Sequence, residues 1–196
     1  RQCDQKALDF LQRSAGDPKV VAIGEIGLDF YRNRAPRNEQ IRCFREQIRL
    51  ARSMKLPIII HDREAHRETM DILREEKAGE HGGVLHCFSG DAAMARACIG
   101  LGFYISIPGT VTFKNASVLH EVVRTVPLEF LLVETDCPFL TPHPFRGKRN
   151  EPAHVRYVAE AIAALKNLPL ETVARETTAN AVKLFGLPRD PGGGDA

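Results

Sequence analysis

The stretch LPIIIHDREAHRETMDILREEKAGEHGGVLHCF (56–88) holds one complete structural repeat. Pro57 ends the helical run before it and opens a short apolar segment rich in β-branched residues, which reads as a buried strand. The charged segment 64–78 then sets Met70, Ile72 and Leu73 on one face of a helix. GGVLHCF returns to an apolar strand. Strand, helix and strand in close succession form the βαβ unit of a parallel sheet, whose strands are covered on both faces and so lack polar alternation.

The same cycle extends both ways. Upstream, residues 2–14 carry Ala7, Leu8, Phe10 and Leu11 on a helical face, and Gly-Asp-Pro at 16–18 breaks the pattern. VVAIGEIGL then begins a strand at Val20, and Ile41, Phe44, Ile48 and Ala51 mark a helix over about 38–54. Downstream, Asp91 is placed to cap the helix DAAMARACIGL, GFYISIPG is a strand, 115–125 a helix and EFLLVETD the fifth strand. A loop rich in Pro, Gly and basic residues (138–152) precedes helices over about 153–166 and 170–185, with Gly186 as the stop. Residues 1–187 thus form one domain, and PRDPGGGDA (188–196) reads as a disordered tail. Five strands alternating with amphipathic helices satisfy either a doubly wound open sheet or part of a (β/α)8 barrel. No Gly-x-Gly-x-x-Gly loop and no P-loop favours a nucleotide-binding class.

Composition narrows the partners. A net charge of +2 does not announce a nucleic-acid binder, so phosphate contacts must come from local clusters; Arg146, Lys148 and Arg149 form the densest. The five cysteines are an odd number without a C-x-x-C pair, which argues against a disulfide framework or a Cys-rich zinc site and fits a reducing cytoplasm. No apolar run approaches the length of about 20 residues that crosses a bilayer. Nothing in the sequence points to an obligate protein partner or to a membrane.

The informative feature is where polar residues fall. Glu25 follows VVAIG, His61 follows PIII, His86 follows GVL and Asp136 follows LLVET. In a barrel all strands run the same way, so these four converge on the mouth where catalytic groups sit. One such residue at a strand end is ordinarily a hydrogen-bonded structural group; four on parallel strands are harder to explain that way. Two imidazoles and two carboxylates suit zinc, manganese or similar divalent ions. A carboxylate such as Glu25 can bridge two ions about 3.5–4 Å apart, a spacing suited to phosphodiester hydrolysis, and Asp136 can take a proton from the attacking water. Strand alternation turns Cys87 and Cys137 away from the mouth as small core residues, and puts Glu134 on the face of Asp136 in an outer hydrogen-bonding role. Arg63 shares the face of His61 and is placed either to reach a substrate phosphate or to form a salt bridge. His143 is a further substrate-contact candidate and His154 a weaker one. His66, on the helix after His61, His81, in a loop, and His120, on an exposed helix face, read as structural.

The motifs GEIGLDFY (24–31), IIIHDREAH (58–66), LHCFSG (85–90), PGTVTFKNA (108–116), ETDCPFLTPHPFRGKRNEP (134–152) and TTANAVKLFGL (177–187) together resemble the TatD family of metal-dependent hydrolases. The resemblance runs from about residue 19 to 187. It implies a (β/α)8 barrel of the metal-dependent hydrolase kind with two divalent ions (Mg, Mn or Zn) and deoxyribonuclease activity, often 3′-to-5′ on single-stranded DNA. Glu25 then looks like the shared ligand, His61 and His86 like ligands of one ion, and Asp136 like a ligand of the other and the proton acceptor. Arg146–Pro152 looks like a family loop at the mouth, and its DNA contacts are an inference from charge.

Family members begin with a strand carrying an Asp-x-His-x-His motif, and His61 is the first histidine of this sequence. The expectation is therefore a barrel lacking its amino-terminal part, about five of eight strands, with open edges near Val20–Gly24 and Leu131–Glu134, weakened metal binding and low or no activity. Two other functions fit the same residues: hydrolysis of a small amide, lactone or phosphoester, and metal-independent nucleic-acid binding by a non-catalytic fragment.

Overall fold

A computed structural model describes residues 4–188. The tail 188–196 lies, beyond Pro188, outside the described residues, as does Cys3. In chain order the elements are α1 (Gln5–Ala15), β1 (Ile23–Asp29), α2 (Arg37–Met54), β2 (Ile58–Arg63), α3 (His66–Glu75), β3 (Gly83–Leu85), α4 (Ala92–Gly100), β4 (Phe103–Ile107), α5 (Ser117–Thr125), β5 (Leu131–Val133), α6 (Val155–Lys166) and α7 (Leu170–Phe185). Local chemistry sets their ends. Asp4 and Asp91 cap α1 and α4 by accepting from the backbone N–H of Ala7 and Met94, and α7 stops at Gly186 with φ 59°.

The strands pair in parallel in the order β1-β2-β3-β4-β5, each beside its predecessor. A doubly wound sheet reverses direction at a switch point; this one never does, so it is singly wound, the topology of a (β/α)8 barrel, with five of its strands present. Among the described residues β1 and β5 are the sheet's two edges.

Side-chain alternation divides the strands between two apolar layers. Ile58, Ile60, Leu85, Ile105 and Leu131 face the helical shell, packing with Phe44 and Ile48 of α2, Leu73 of α3, Val122 of α5 and Ile162 of α6. On the opposite face Val84, Tyr104 and Leu132 form a smaller cluster with Ile59, covered by Ala181, Leu184 and Phe185 of α7. Outside the shell, Glu76 is 8% exposed and receives Arg49 at 2.7 Å and Arg45 at 2.9 Å, tying the end of α3 to α2. Among the described residues no helix is long and apolar enough to cross a membrane, and Cys43, Cys87, Cys98 and Cys137 form no disulfide.

The strand boundaries revise the sequence reading. β1 starts at Ile23 rather than Val20 and runs on to Asp29, so Glu25 lies inside the strand. The register jumps there: Ile23 faces Ile58 and Ile26 faces Ile60, one residue more on β1 than on β2. Such a bulge turns a side chain out of the regular alternation, and Glu25 sits in it. Gly27, with φ 138°, follows; a Cβ at this position would collide with the carbonyl oxygen of His61. The chain is thus glycine-dependent where β1 presses against the histidine strand.

Candidate metal centre

Glu25 from the β1 bulge, His61 from β2 and His86 just past β3 each offer a ligand atom, all within 4.8 Å of one another. His86 Nε2 lies 3.5 Å and His61 Nδ1 3.9 Å from the same oxygen, Oε2 of Glu25. The two rings stand 5.7 Å apart between centroids.

Each imidazole has a second carboxylate behind it. His61 Nε2 is 3.3 Å from Asp29 Oδ2, and His86 Nδ1 is 3.3 Å from Glu134 Oε1. One nitrogen of each ring therefore faces Glu25 while the other faces an outer carboxylate, hydrogen-bonded for His61 and at ion-pair distance for His86, the arrangement that fixes tautomer and orientation in metal-ligating histidines. The Asp29 carboxylate is itself fixed, accepting from the backbone N–H of Arg32 at 2.7 Å, and the Asp29 N–H donates to Gln40 Oε1 at 2.9 Å. One carboxylate and two oriented imidazoles fit a divalent cation.

The charges are mutually dependent. Burial alone would lower the His86 pKa, but Glu134 beside it, with Glu25 and Asp136 near, lifts it above the ordinary 6.5. Burial would likewise raise Glu134, but the His86 imidazole together with Ser106 and the Cys87 backbone outweighs it, holding that carboxyl below 4.5. Burial lifts Asp136 above 3.8, with Glu134 and Glu25 adding to the rise. A cation in this nest of carboxylates would relieve their repulsion.

These groups open into a cavity of about 1060 Å³, which also takes in Arg63, Asp136, Arg146 and Lys148. Asp136 faces the cavity but stands outside the three-residue ligand cluster. His143 and Arg149 are exposed and are not among the side chains lining the cavity. Arg63 forms no salt bridge among the described residues; its guanidinium lies 4.0 Å over the Tyr31 ring. Arg146 lies 4.5 Å over Phe113, and the Lys148 ammonium 5.8 Å from Phe145. Three cations at the mouth thus rest on aromatic faces that hold them without cancelling their charge.

Alternation misplaces the residues beyond the strand ends. β3 stops at Leu85 and Cys87 has φ 47°, so Cys87 turns into the cavity rather than the shell, its thiol pushed up to about 12 by burial. β5 stops at Val133 and Asp136 has φ 54°; Cys137 is consequently exposed, not a core residue. His120 is half-buried, 2.8 Å from the Val111 carbonyl oxygen, rather than on an exposed face. His66 is held by Asp62, and His154 stacks on Phe145 with centroids 4.8 Å apart. His81 ends a short 3-10 turn.

Three residues escaped the sequence reading. Asp29 follows the apolar run of β1, and only the register of β1 against β2 brings it to His61. Phe139, 61% exposed, lines the cavity three positions after Asp136, to whose carbonyl its N–H donates at 2.9 Å. Asn150, 2% exposed, clamps this loop: its amide donates to the carbonyls of Thr135 at 2.7 Å and Phe139 at 2.6 Å.

A singly wound parallel sheet whose strands deliver two oriented imidazoles and a carboxylate to one mouth defines a metal-dependent hydrolase of the barrel class. The chain belongs to the TatD-related DNase family, whose model matches residues 1–186. It is 52% identical to YabD of Bacillus subtilis, described as an uncharacterized metal-dependent hydrolase, over 93% of this chain and 72% of that one. It is 40% identical to the 3′-5′ ssDNA/RNA exonuclease TatD of Shigella flexneri, over 88% of this chain and 68% of that one. Among solved structures, the TatD homologue YjjV of Escherichia coli superposes with a TM-score of 0.88 at 33% identity, over 94% of this chain and 72% of that one.

Proposed function

We propose that this chain is a divalent-metal-dependent phosphodiesterase that removes nucleotides from the 3′ end of single-stranded nucleic acid in the cytoplasm. The observation that carries the reading is the juxtaposition of a metal-donor cluster with a cavity rimmed by cations laid on aromatic rings. A small neutral amide or lactone gives those cations nothing to bind, whereas a phosphate chain does. The name of the Shigella flexneri relative supports the same substrate class.

Glu25, His61 and His86 would hold one ion, and Glu25 with Asp136 a second. Ions at these positions supply Lewis acidity at the phosphoryl oxygen and lower the pKa of water. Asp29 and Glu134 keep the two imidazoles in the ligating tautomer. Asp136 accepts a proton from the attacking water. Arg63, Arg146 and Lys148 bind substrate phosphates, and Phe139 offers its exposed ring to a terminal base, a contact tolerant of sequence.

The test is cleavage of 5′-labelled single-stranded DNA with manganese, magnesium or EDTA, beside Glu25→Ala and Asp136→Ala. Stepwise shortening from the 3′ end that needs metal and fails in both variants is the expected result. Folded protein that binds manganese but cleaves no phosphodiester would refute the reading.

A further inference from the structure

A second cavity of about 520 Å³ opens between α3 and α4. It shares Ser89, Gly90 and Val118 with the first, so the groove begins where the metal-centre cavity ends. Its α3 wall presents His66, Arg67, Met70 and Arg74, which fall along one side of the helix, and Met94 faces it from α4. Cations therefore stand on the rim with the Met94 thioether beneath them, while Met70, 6% exposed, forms the floor with its sulfur accepting from the Cys98 thiol at 3.4 Å.

His66 is a fixed member of that rim. Its Nδ1 lies 2.7 Å from Oδ2 of Asp62, a side chain only 6% exposed, which leaves Nε2 for a ligand. Asp62 lines the first cavity and His66 the second, so the pair bridges the wall between them. The other Asp62 oxygen, Oδ1, is buried without a hydrogen-bond partner. Arg67 is 91% exposed and touches Asp71 only at 3.9 Å, while Arg74 takes the same carboxylate at 3.3 Å. Across the groove, Asp91 accepts from the Met94 N–H at 2.8 Å as the cap of α4. Asp62 and Asp71 offset His66 and Arg74, so Arg67 is the weakly paired cation of the rim, and the volume suits a nucleotide-sized group.

We infer that this groove is a second nucleic-acid subsite, holding a nucleotide farther along the strand than a trimer seated at the metal centre reaches, with its phosphate between His66 and Arg67 and its base against Met94. The inference rests on the phosphodiesterase reading of the first cavity. Continuity at Ser89 and Gly90 gives a strand leaving the metal centre a path into the groove. Methionine sulfur packs favourably on any aromatic face and adapts to its shape, so the subsite accepts a base without reading its identity.

The experiment is fluorescence anisotropy of labelled single-stranded trimers and decamers, deoxy and ribo, in EDTA, on the full chain, Arg67→Ala and Ala93→Glu. Both positions are exposed and line only the groove. Arg67→Ala should weaken decamer binding by about fivefold and reduce the slope of log affinity against log salt by about 0.7, the value for one phosphate contact on a single strand. Ala93→Glu should weaken decamer binding at least as much, and trimer binding should be unchanged in both. The deoxy and ribo arms identify which sugar the groove takes. Unchanged decamer affinity in both variants, equal losses for trimer and decamer, or a wild type that binds the decamer no better than the trimer would overturn the proposal. Manganese-dependent hydrolysis of bis(p-nitrophenyl) phosphate, measured in parallel, judges the metal centre alone. Its absence beside the expected binding losses would sink the phosphodiesterase reading and leave the groove a nucleic-acid site.

Discussion

Replacing Asn150 by alanine should separate the substrate half of the site from the metal half. The Asn150 side chain is 2% exposed. Its amide donates to the carbonyls of Thr135 and Phe139, at 2.7 and 2.6 Å, and its carbonyl accepts from the Glu151 N–H at 2.9 Å and faces His154 Nδ1 at 3.0 Å. Alanine keeps the backbone bond from the Asn150 N–H to the Pro138 carbonyl, at 3.1 Å, and removes the rest. All three of these bonds are partly buried, so water replaces the lost partners only in part. At about 1 kcal/mol for each carbonyl left unpaired, plus the lost contact to His154, the cost is about 2–3 kcal/mol. The clamped segment carries Asp136, Phe139, Arg146 and Lys148, so part of this cost will surface as local opening at the mouth. Urea unfolding should show the loss, and the KM for a single-stranded oligonucleotide should rise by about tenfold or more while affinity for the manganese ion held by Glu25, His61 and His86 stays near wild type. Asn150→Asp, which turns acceptor oxygens toward two carbonyls, should be worse than alanine. A stability loss below about 0.5 kcal/mol together with an unchanged KM would refute the clamp.

Three further outcomes follow from the geometry. Asp29→Ala frees the outer nitrogen of His61 and should weaken manganese or zinc binding by about 10–100-fold in a competition titration, with Asp29→Asn in between; unchanged affinity would remove Asp29 from the centre. Gly27→Ala forces a side chain onto the His61 carbonyl at φ 138° and should cost at least about 2 kcal/mol in thermal unfolding; a wild-type melting curve would contradict the register of β1 on β2. The guanidinium of Arg49, with Arg45 beside it, holds the Glu76 carboxyl below 4.5. Its stabilisation is therefore present above the unfolded value of 4.5 and is lost as pH falls through the lower folded value. Glu76→Gln should be less stable than wild type at neutral pH and lose stability less steeply on acidification, measured by urea unfolding across that range.

The order of elements was legible because each strand is a short apolar run and each helix carries a periodic apolar face. That reading also reached Glu25, His61 and His86, since a polar residue interrupting an apolar run stands out without knowledge of the partner strand. It could not choose between a doubly wound sheet and a barrel, because composition does not encode which strand lies beside which. Alternation also failed beyond the strand ends. Cys87 and Asp136 adopt positive φ, at 47° and 54°, and Cys137 follows Asp136 to the surface. No pattern in the sequence marks either as a turn, since neither is a glycine. Asp29 and Asn150 were missed for a related reason: their partners lie across a register or a long loop, not at a fixed spacing along one element.

The two halves of the centre rest on different kinds of structure, and this bears on how it works. Glu25 and His61 are strand residues, and His86 follows β3 directly, its N–H bonded to the Ile60 carbonyl at 2.9 Å. Their positions are therefore set by the sheet ladder and by the outer carboxylates, leaving little to reorganise when a cation is bound. Asp136, Phe139, Arg146 and Lys148 hang instead on a loop held by one asparagine and by ring contacts among Phe145, His154 and Tyr157. A rigid donor set beside a separately anchored substrate loop lets the loop adjust to different bases without disturbing Glu25, His61 and His86. Damage to the loop should accordingly appear in KM, and damage to Asp29 or Glu134 in metal affinity. A single kind of defect from both sets of changes would mean that the loop and the sheet move as one body.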